Sequence, residues 1–146
     1  MTLSELIAQN TRMKFATDAG ARMHAMLRMV VLDDAGGDRG DAELIAKIRA
    51  GGDLARFFTP AAKTEVPLAG HYHGKFISRR VDRMVVDDAA RVVYLLDYKT
   101  DIDRTARHEK YAQQLREYTS LLCEIYPGYS VRGFILWLHD WMLESM

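Results

Sequence analysis

A chain of 146 residues, 49% hydrophobic and 27% charged, has the composition of an ordinary globular protein, long enough to bury about two-thirds of its unfolded surface. Its 20 basic and 20 acidic residues cancel, which excludes a global attraction to nucleic acid and confines any such attraction to local patches. The single Cys123 excludes an intramolecular disulfide, a cysteine zinc site and an iron–sulfur cluster, and no apolar run approaches the roughly 20 residues that a bilayer requires. With no membrane segment and no signal-peptide pattern, a reducing cytoplasm is the expected compartment.

One domain is expected over residues 1–146, with a helical segment to about residue 58 and a sheet-and-helix part from about 63. Thr2 and Glu5 form a candidate capping box for a helix running to about Phe15. Thr17 or Asp18 can cap a second stretch, Ala19 to about Leu32, with a kink or break expected near Gly20. His24 sits inside this apolar helix, where a histidine is by itself more often a satisfied core or rim residue than a ligand. Residues 33–41 (DDAGGDRGD) read as a polar loop, and Asp41 caps a helix over Ala42–Ala50 that stops at Gly51-Gly52. Asp53 is expected to cap one further turn containing Leu54, Phe57 and Phe58.

From Lys63 the period becomes strand-like. Lys63–Leu68 is a strand, Gly70–Gly74 a turn with His71 and His73, Lys75–Val86 a second strand, residues 87–90 a turn, and Arg91–Thr100 a third strand. A turn at 87–90 makes cross-strand partners sum to 177, so Asp82 faces Leu95 and Asp97 is its diagonal neighbour on the same face. Residues 101–108 form a charged loop. Glu109–Tyr126 is a helix with a stripe of Tyr111, Leu115, Tyr118, Leu122 and Ile125. Val131–Leu138 is a fourth strand, His139-Asp140 a turn, and Trp141–Ser145 a short last strand. The long helix between the third and fourth strands makes those two parallel partners. The expected class is α/β, a central mixed sheet with helices on both faces.

The third strand carries the chemistry. Val92–Leu96 is apolar enough to be central in a sheet, yet the strand ends on Asp97 and Lys99, which leave the same face. Two charges at a buried strand end are costly unless each pairs with the other, or with a divalent cation and a phosphate. Metal-dependent phosphodiester cleavage needs oxygen ligands for a hard cation, a source of hydroxide and a positive group at the phosphate. Asp82 and Asp97 can supply the ligands, the Tyr98 carbonyl another, and Lys99 the positive group. Each piece has an ordinary alternative: Asp-x-Lys is more often a surface ion pair, and Asp82 can pair with Arg80 or Arg83.

Together these residues resemble the RecB/AddA-type branch of the PD-(D/E)XK nuclease superfamily. Ala19–Leu27 (AGARMHAML) is similar to the family's helix with a metal-binding histidine, in the pattern Gly20-x-x-x-His24; Val81-Asp82-Arg83 to its "iDR" strand; Leu96–Asp101 (LDYKTD) to its "iDYKTD" strand; and Tyr111–Tyr118 (YAQQLREY) to its "YxxQLxxY" helix. The resemblance spans about residues 19–138 and implies a restriction-endonuclease-like fold. It also implies a Mg²⁺ or Mn²⁺ site held by His24, Asp82 and Asp97, Lys99 as the catalytic lysine, and Gln114 and Tyr118 in DNA contact or site support. Arg79 stands where the family's strand usually has glycine. Glu65 matches an acidic residue at the head of the first strand, as a metal contact or as a structural partner for Arg80 or Lys99. With one cysteine, the chain is similar to the family members that lack an iron–sulfur cluster.

The cations Lys75, Arg79, Arg80 and Arg83, with Arg104, Arg107, His108 and Lys110 after Lys99, would then bracket a single strand of DNA. Asp87, Asp88, Asp101 and Asp103 are available to neutralise them. The expected function is a metal-dependent DNA exonuclease domain acting on DNA ends in double-strand-break repair with a helicase domain or subunit, and without a membrane. Two other readings are a DNA-binding or scaffold module that keeps the fold without the chemistry, and a stand-alone nuclease of defence or mobile-element biology. The end at Met146, just past a strand, favours a fragment of a longer chain.

Overall fold

The computed structural model describes residues 2–100 and 104–146, with the side chains of residues 8–17 and 104–107 left aside. Helix α1 (Leu3–Arg28) opens on the expected capping box: Thr2 Oγ1 accepts from the Glu5 N–H at 3.1 Å, and Glu5 Oε2 accepts from the Thr2 N–H at 2.7 Å. The expected break near Gly20 does not occur. α1 is continuous through it, because Gly20 is buried against Thr100: a Cβ there would lie 2.2 Å from Thr100 Cγ2. Packing decides the residue at this position, against its poor helix propensity.

α1 also stops earlier than expected. Val31 leaves the helix to bridge Arg39, and the Leu32 N–H bonds to the Phe58 carbonyl. The 33–41 loop then leads to α2 (Ala42–Ala50), capped by Asp41 as expected. A 3₁₀ segment, Gly52–Phe58, follows. Asp53 does not cap it; the Asp53 carboxylate pairs instead with Arg56 at 3.1 Å.

The sheet has five strands in the order β1-β2-β3-β4-β5: β1 (Lys63–Tyr72), β2 (Lys75–Asp87), β3 (Val92–Lys99), β4 (Ser130–Trp137) and β5 (Met142–Ser145). All pairs are antiparallel except β3 with β4, which are parallel and joined through α3 (Arg104–Ile125). β1 outlasts its expected end and carries Gly70 and His71 within the strand, so that the turn shrinks to His73-Gly74. α3 begins within the stretch expected to be a loop; residues 101–103, including Asp101 and Asp103, lie outside the described set, as do the side chains of Arg104 and Arg107.

Alternation on β3 and β4 sorts the core into two clusters. Leu96, Tyr98, Phe134 and Leu136 pack with Leu27, Leu44, Ile48, Phe57 and Phe58 from the N-terminal helices. Val93, Leu95, Ile135 and Trp137 pack with Leu115, Tyr118, Leu121 and Leu122 of α3. A strand covered on both faces has no wet side, which is why β3 and β4 are nearly all apolar. The expected α3 stripe holds except at its end, where Ile125 is exposed and Leu121 takes the buried place. Together these elements make an α/β fold with a five-stranded mixed sheet flanked by helices.

The β2–β3 register differs from expectation by two. Partners sum to 179, as in Arg83↔Leu96 and Asp87↔Val92, because the turn is 88–91 and Arg91 ends it with φ 55°. A shift of two keeps every side chain on its face. The next pair along this register is Asp82 with Asp97, directly opposite rather than diagonal.

Candidate active site

Asp82 and Asp97 meet where the regular β2–β3 ladder ends. Each aspartate bonds to the other strand's backbone: the Tyr98 N–H donates to Asp82 Oδ2 at 2.8 Å, and the Asp82 N–H donates to Asp97 Oδ1 at 3.3 Å. β2 also changes its facing here. Val81 and Met84 both pack in the α3-side cluster although regular alternation would put residues three apart on opposite faces. Across the β1–β2 ladder, Glu65 has φ 50°, and the ladder skips the Glu65–Asp82 position. A non-glycine residue in the left-handed region stores strain, and here it accompanies the break in pleat that turns Asp82 towards α1.

From α1, His24 Nε2 lies 2.9 Å from Asp82 Oδ1, and its ring packs edge-on against Tyr98 with centroids 5.0 Å apart. Gly20, one turn earlier on the same helix face, allows this approach through its contact with Thr100 at the end of β3. The spacing Gly20-x-x-x-His24 therefore has a geometric content: the glycine lets the helix down onto the strand, and the histidine arrives at Asp82.

Asp97 is 3% exposed, and its carboxyl is pushed up to about 7. Burial is the largest cause; the neighbouring Asp82 charge adds to it and Lys99 opposes it. Lys99 Nζ stands 3.8 Å from Asp97 Oδ2, donates to Gln114 Oε1 at 2.9 Å, and lies 4.3 Å from the centre of the Tyr111 ring. Gln114 Nε2 donates onward to Tyr118 Oη at 3.0 Å, and Tyr118 Oη donates to the Arg80 carbonyl at 3.2 Å. Burial, with the aspartate charges beside it, holds the Tyr118 phenol protonated well above its ordinary range. The chain Lys99–Gln114–Tyr118–Arg80 fixes the ammonium from α3, which explains the four-residue spacing of Gln114 and Tyr118.

The structure places the remaining candidates in several ways. Arg83, expected among DNA-facing cations, is buried: it donates to Tyr98 Oη (2.8 Å), the Phe57 carbonyl (3.0 Å) and the Leu27 carbonyl (2.7 Å), and lies 4.0 Å over the Phe58 ring. Its guanidinium is spent inside the protein, tying α1, the 3₁₀ segment, β2 and β3 behind the site. Tyr98, chosen for its carbonyl, meets Asp82 through its N–H; burial raises its phenol's pKa. Glu65 pairs with Arg28 at 2.8 Å, not with Arg80 or Lys99. Arg80 is exposed, while Arg79 turns back to Glu117 at 3.4 Å and His108 sits 2.9 Å from Glu144.

Sequence reasoning passed over two residues that shape the site. Arg28 carried no signal beyond its place one turn after His24. Phe58 reads in the sequence only as an apolar residue of a turn, since a ring stacked by a buried guanidinium leaves no periodic trace. Among the described residues no three His, Cys, Asp or Glu side chains converge on one point as a metal-holding set; they meet pairwise, His24 with Asp82 and Asp82 with Asp97. By kind, two carboxylates and an imidazole suit a hard divalent cation.

A scan of the chain against protein-family models finds no match, and a search of curated proteins finds none. Among the described residues no helix is long and apolar enough to cross a membrane.

Proposed function

We propose that the chain is a Mg²⁺- or Mn²⁺-dependent deoxyribonuclease of the RecB/AddA-like PD-(D/E)XK kind, with a restriction-endonuclease-like fold, that hydrolyses phosphodiester bonds at DNA ends. The observation that carries this reading is the meeting of Asp82 and Asp97 at adjacent strand positions with Lys99 3.8 Å from Asp97 and fixed from α3. A core ion pair needs one carboxylate and one cation. A second, half-buried carboxylate, an imidazole and a relay that restrains the lysine are surplus to stability and suited to phosphoryl chemistry.

In this reading His24, Asp82 and Asp97 hold the cation, which when bound lowers the pKa of a water and draws charge from a phosphoryl oxygen. Asp97 must lose its proton to serve, and the His24–Asp82 hydrogen bond must give way to ligation. Lys99 orients the attacking water or neutralises charge developing on a non-bridging phosphate oxygen. Water attacks phosphorus and releases a proton to solvent, the bond to the ester oxygen breaks, and that oxygen leaves with a proton taken from solvent. Gln114 and Tyr118 position Lys99, and Tyr111 offers its ring to the same ammonium. The exposed Arg80 remains a candidate phosphate contact. A helicase partner and a role in double-strand-break repair belong to the same proposal; a free-standing nuclease of defence or mobile-element biology would use the same site.

The test is release of nucleotides from linear single-stranded DNA with Mn²⁺. Activity in the wild type, lost in Asp97→Ala and in Lys99→Ala, is expected; activity that survives either substitution removes the assignment. The direct His24–Asp82 bond favours one other reading, a DNA-binding module that keeps the fold without the chemistry. Calorimetry that detects no Mn²⁺ binding to the wild type would leave that reading standing.

A further inference from the structure

The β1–β2 hairpin extends well past the end of β3. β3 pairs with β2 only over Arg83–Asp87, whereas the β1–β2 ladder continues to Tyr72↔Lys75. The outer part is a two-stranded ribbon steadied by α3, where Leu121 sits so close to Gly70 that a Cβ there would lie 2.7 Å from it. The ribbon ends in a tight turn with positive φ at both His73 (50°) and Gly74 (76°), which preserves the twist of the strands.

Four rings lie at this tip, with His71 and Phe76 on one face of the ribbon and Tyr72 on the other, the face of Gly70 towards α3. His71 and Phe76 are cross-strand partners with centroids 5.7 Å apart, and Tyr72 and His73 are 4.2 Å apart. Phe76 is 61% exposed, so the core does not account for it. Two neighbouring clefts lie between the tip and Lys99. One, of about 470 Å³, lies beside Lys99 and Tyr111; the other, of about 340 Å³, reaches Tyr72 and Phe76; Arg79, Gln113 and Glu117 border both. The formal charges along the two are Lys75, Arg79, Lys99 and Lys110 against Glu117 alone.

We infer that this trough is the track of a single-stranded nucleic acid, with phosphates along the lysines and Arg79 and bases stacked on Phe76 and Tyr72 at the hairpin tip. A duplex keeps its base faces inside its own stack, so exposed rings select unpaired bases, while the cations accept any phosphate backbone. The direction of the track, towards Lys99, rests on the nuclease reading; the stacking does not. From Asp82 back to Lys75 the strand covers roughly 23 Å, about seven nucleotides at a stacked spacing of ~3.4 Å. A strand held at the site therefore reaches the rings only if it is longer than that.

The experiment is fluorescence anisotropy of labelled oligothymidylates of four and ten nucleotides, in EDTA so that no cleavage intervenes. The ten-mer should bind the wild type more tightly than the four-mer. Phe76→Ala and Tyr72→Ala should each weaken the ten-mer about tenfold, and Phe76→Trp should retain it. Equal ten-mer affinity in wild type and Phe76→Ala overturns the inference. So does a Phe76→Ala variant that keeps its ten-mer affinity but sediments as a smaller species than the wild type, since the tip would then be a self-association patch. Mn²⁺-dependent hydrolysis of bis(p-nitrophenyl) phosphate by the wild type judges the nuclease reading separately; its absence removes that reading and leaves the stacking to the anisotropy.

Discussion

Replacing Gly20 with alanine should destabilise the protein, against the usual sign of that exchange. In an open helix interior Gly→Ala gains about 1 kcal/mol. Here the new Cβ would lie 2.2 Å from Thr100 Cγ2 and 2.9 Å from Thr100 Cβ. Thr100 is β-branched and held to few rotamers, so the helix has to move. Overpacking of this kind costs about 1–3 kcal/mol, leaving a net loss of up to ~2 kcal/mol and a fall in Tm of up to roughly 8 °C for a chain of this size. The displacement also carries His24 away from Asp82, so the rise in Tm on adding Mn²⁺ should shrink in the variant. Differential scanning fluorimetry with and without Mn²⁺ measures both effects. Thr100→Ser, which removes the closest methyl, should restore part of each in the double variant. A Gly20→Ala protein with raised Tm and an undiminished response to Mn²⁺ would refute the packing argument.

Four further expectations concern the site. Because the folded pKa of Asp97 is raised from 3.8 to about 7, the folded state binds the extra proton. Stability should therefore fall as pH rises from about 4 to 7 and level off above that; a metal-free Asp97→Asn protein with the same pH slope in urea denaturation would contradict this. Cation binding displaces that proton, so stabilisation by Mn²⁺ should be larger at pH 8 than at pH 6. Lys99→Met should lower kcat about a hundredfold with little change in Mn²⁺ affinity from calorimetry, since the ammonium acts at the phosphate; a loss confined to metal affinity would reassign it. Arg83→Ala takes the guanidinium donor from Tyr98 Oη and the Phe57 carbonyl, leaves the Leu27 carbonyl with the Val30 N–H, and should cost about 3 kcal/mol in denaturant unfolding. An Arg83→Ala protein of wild-type stability that binds DNA poorly would return Arg83 to the surface.

The order of elements was legible because hydrophobic period and turn residues carry it, and the parallel β3–β4 pair followed from the helix between them. What escaped was set by backbone conformations that leave no mark in residue type. The turns at 88–91 and 138–141 each end on a non-glycine residue with positive φ, Arg91 (55°) and Trp141 (54°). Neither residue announces a left-handed position, so each reads as the first residue of the following strand, and the β2–β3 register moves by two. The error was harmless to the site because the side-chain period is two. Arg83 was misread for another reason. An arginine beside Asp82 on a strand suggests an outward charge, and only the folded chain shows three acceptors and an aromatic face arranged to bury it.

These two outcomes bear on how the site is held. Asp97 and Asp82 are neighbours in an interior where like charges repel, and Lys99 alone does not bring the Asp97 carboxyl back to its ordinary range. The buried polar groups around them are nonetheless complete, for no buried side-chain nitrogen or oxygen among the described residues lacks a hydrogen-bond partner. The charge repulsion is thus confined to one place, the two adjacent carboxyls, while Arg83 on β2 behind them and Gln114 and Tyr118 on α3 beside them fix the surroundings from two elements. A fold that only needed stability would gain by changing one of the aspartates to an apolar residue or an amide. Asp82→Asn or Asp97→Asn should accordingly raise metal-free stability at pH 8 while abolishing the response to Mn²⁺, a trade of function for stability that denaturation curves with and without the cation would read directly. If both substitutions instead lowered metal-free stability, the aspartates would be structural partners of the strand ends, and the proposed metal site would lose its physical basis.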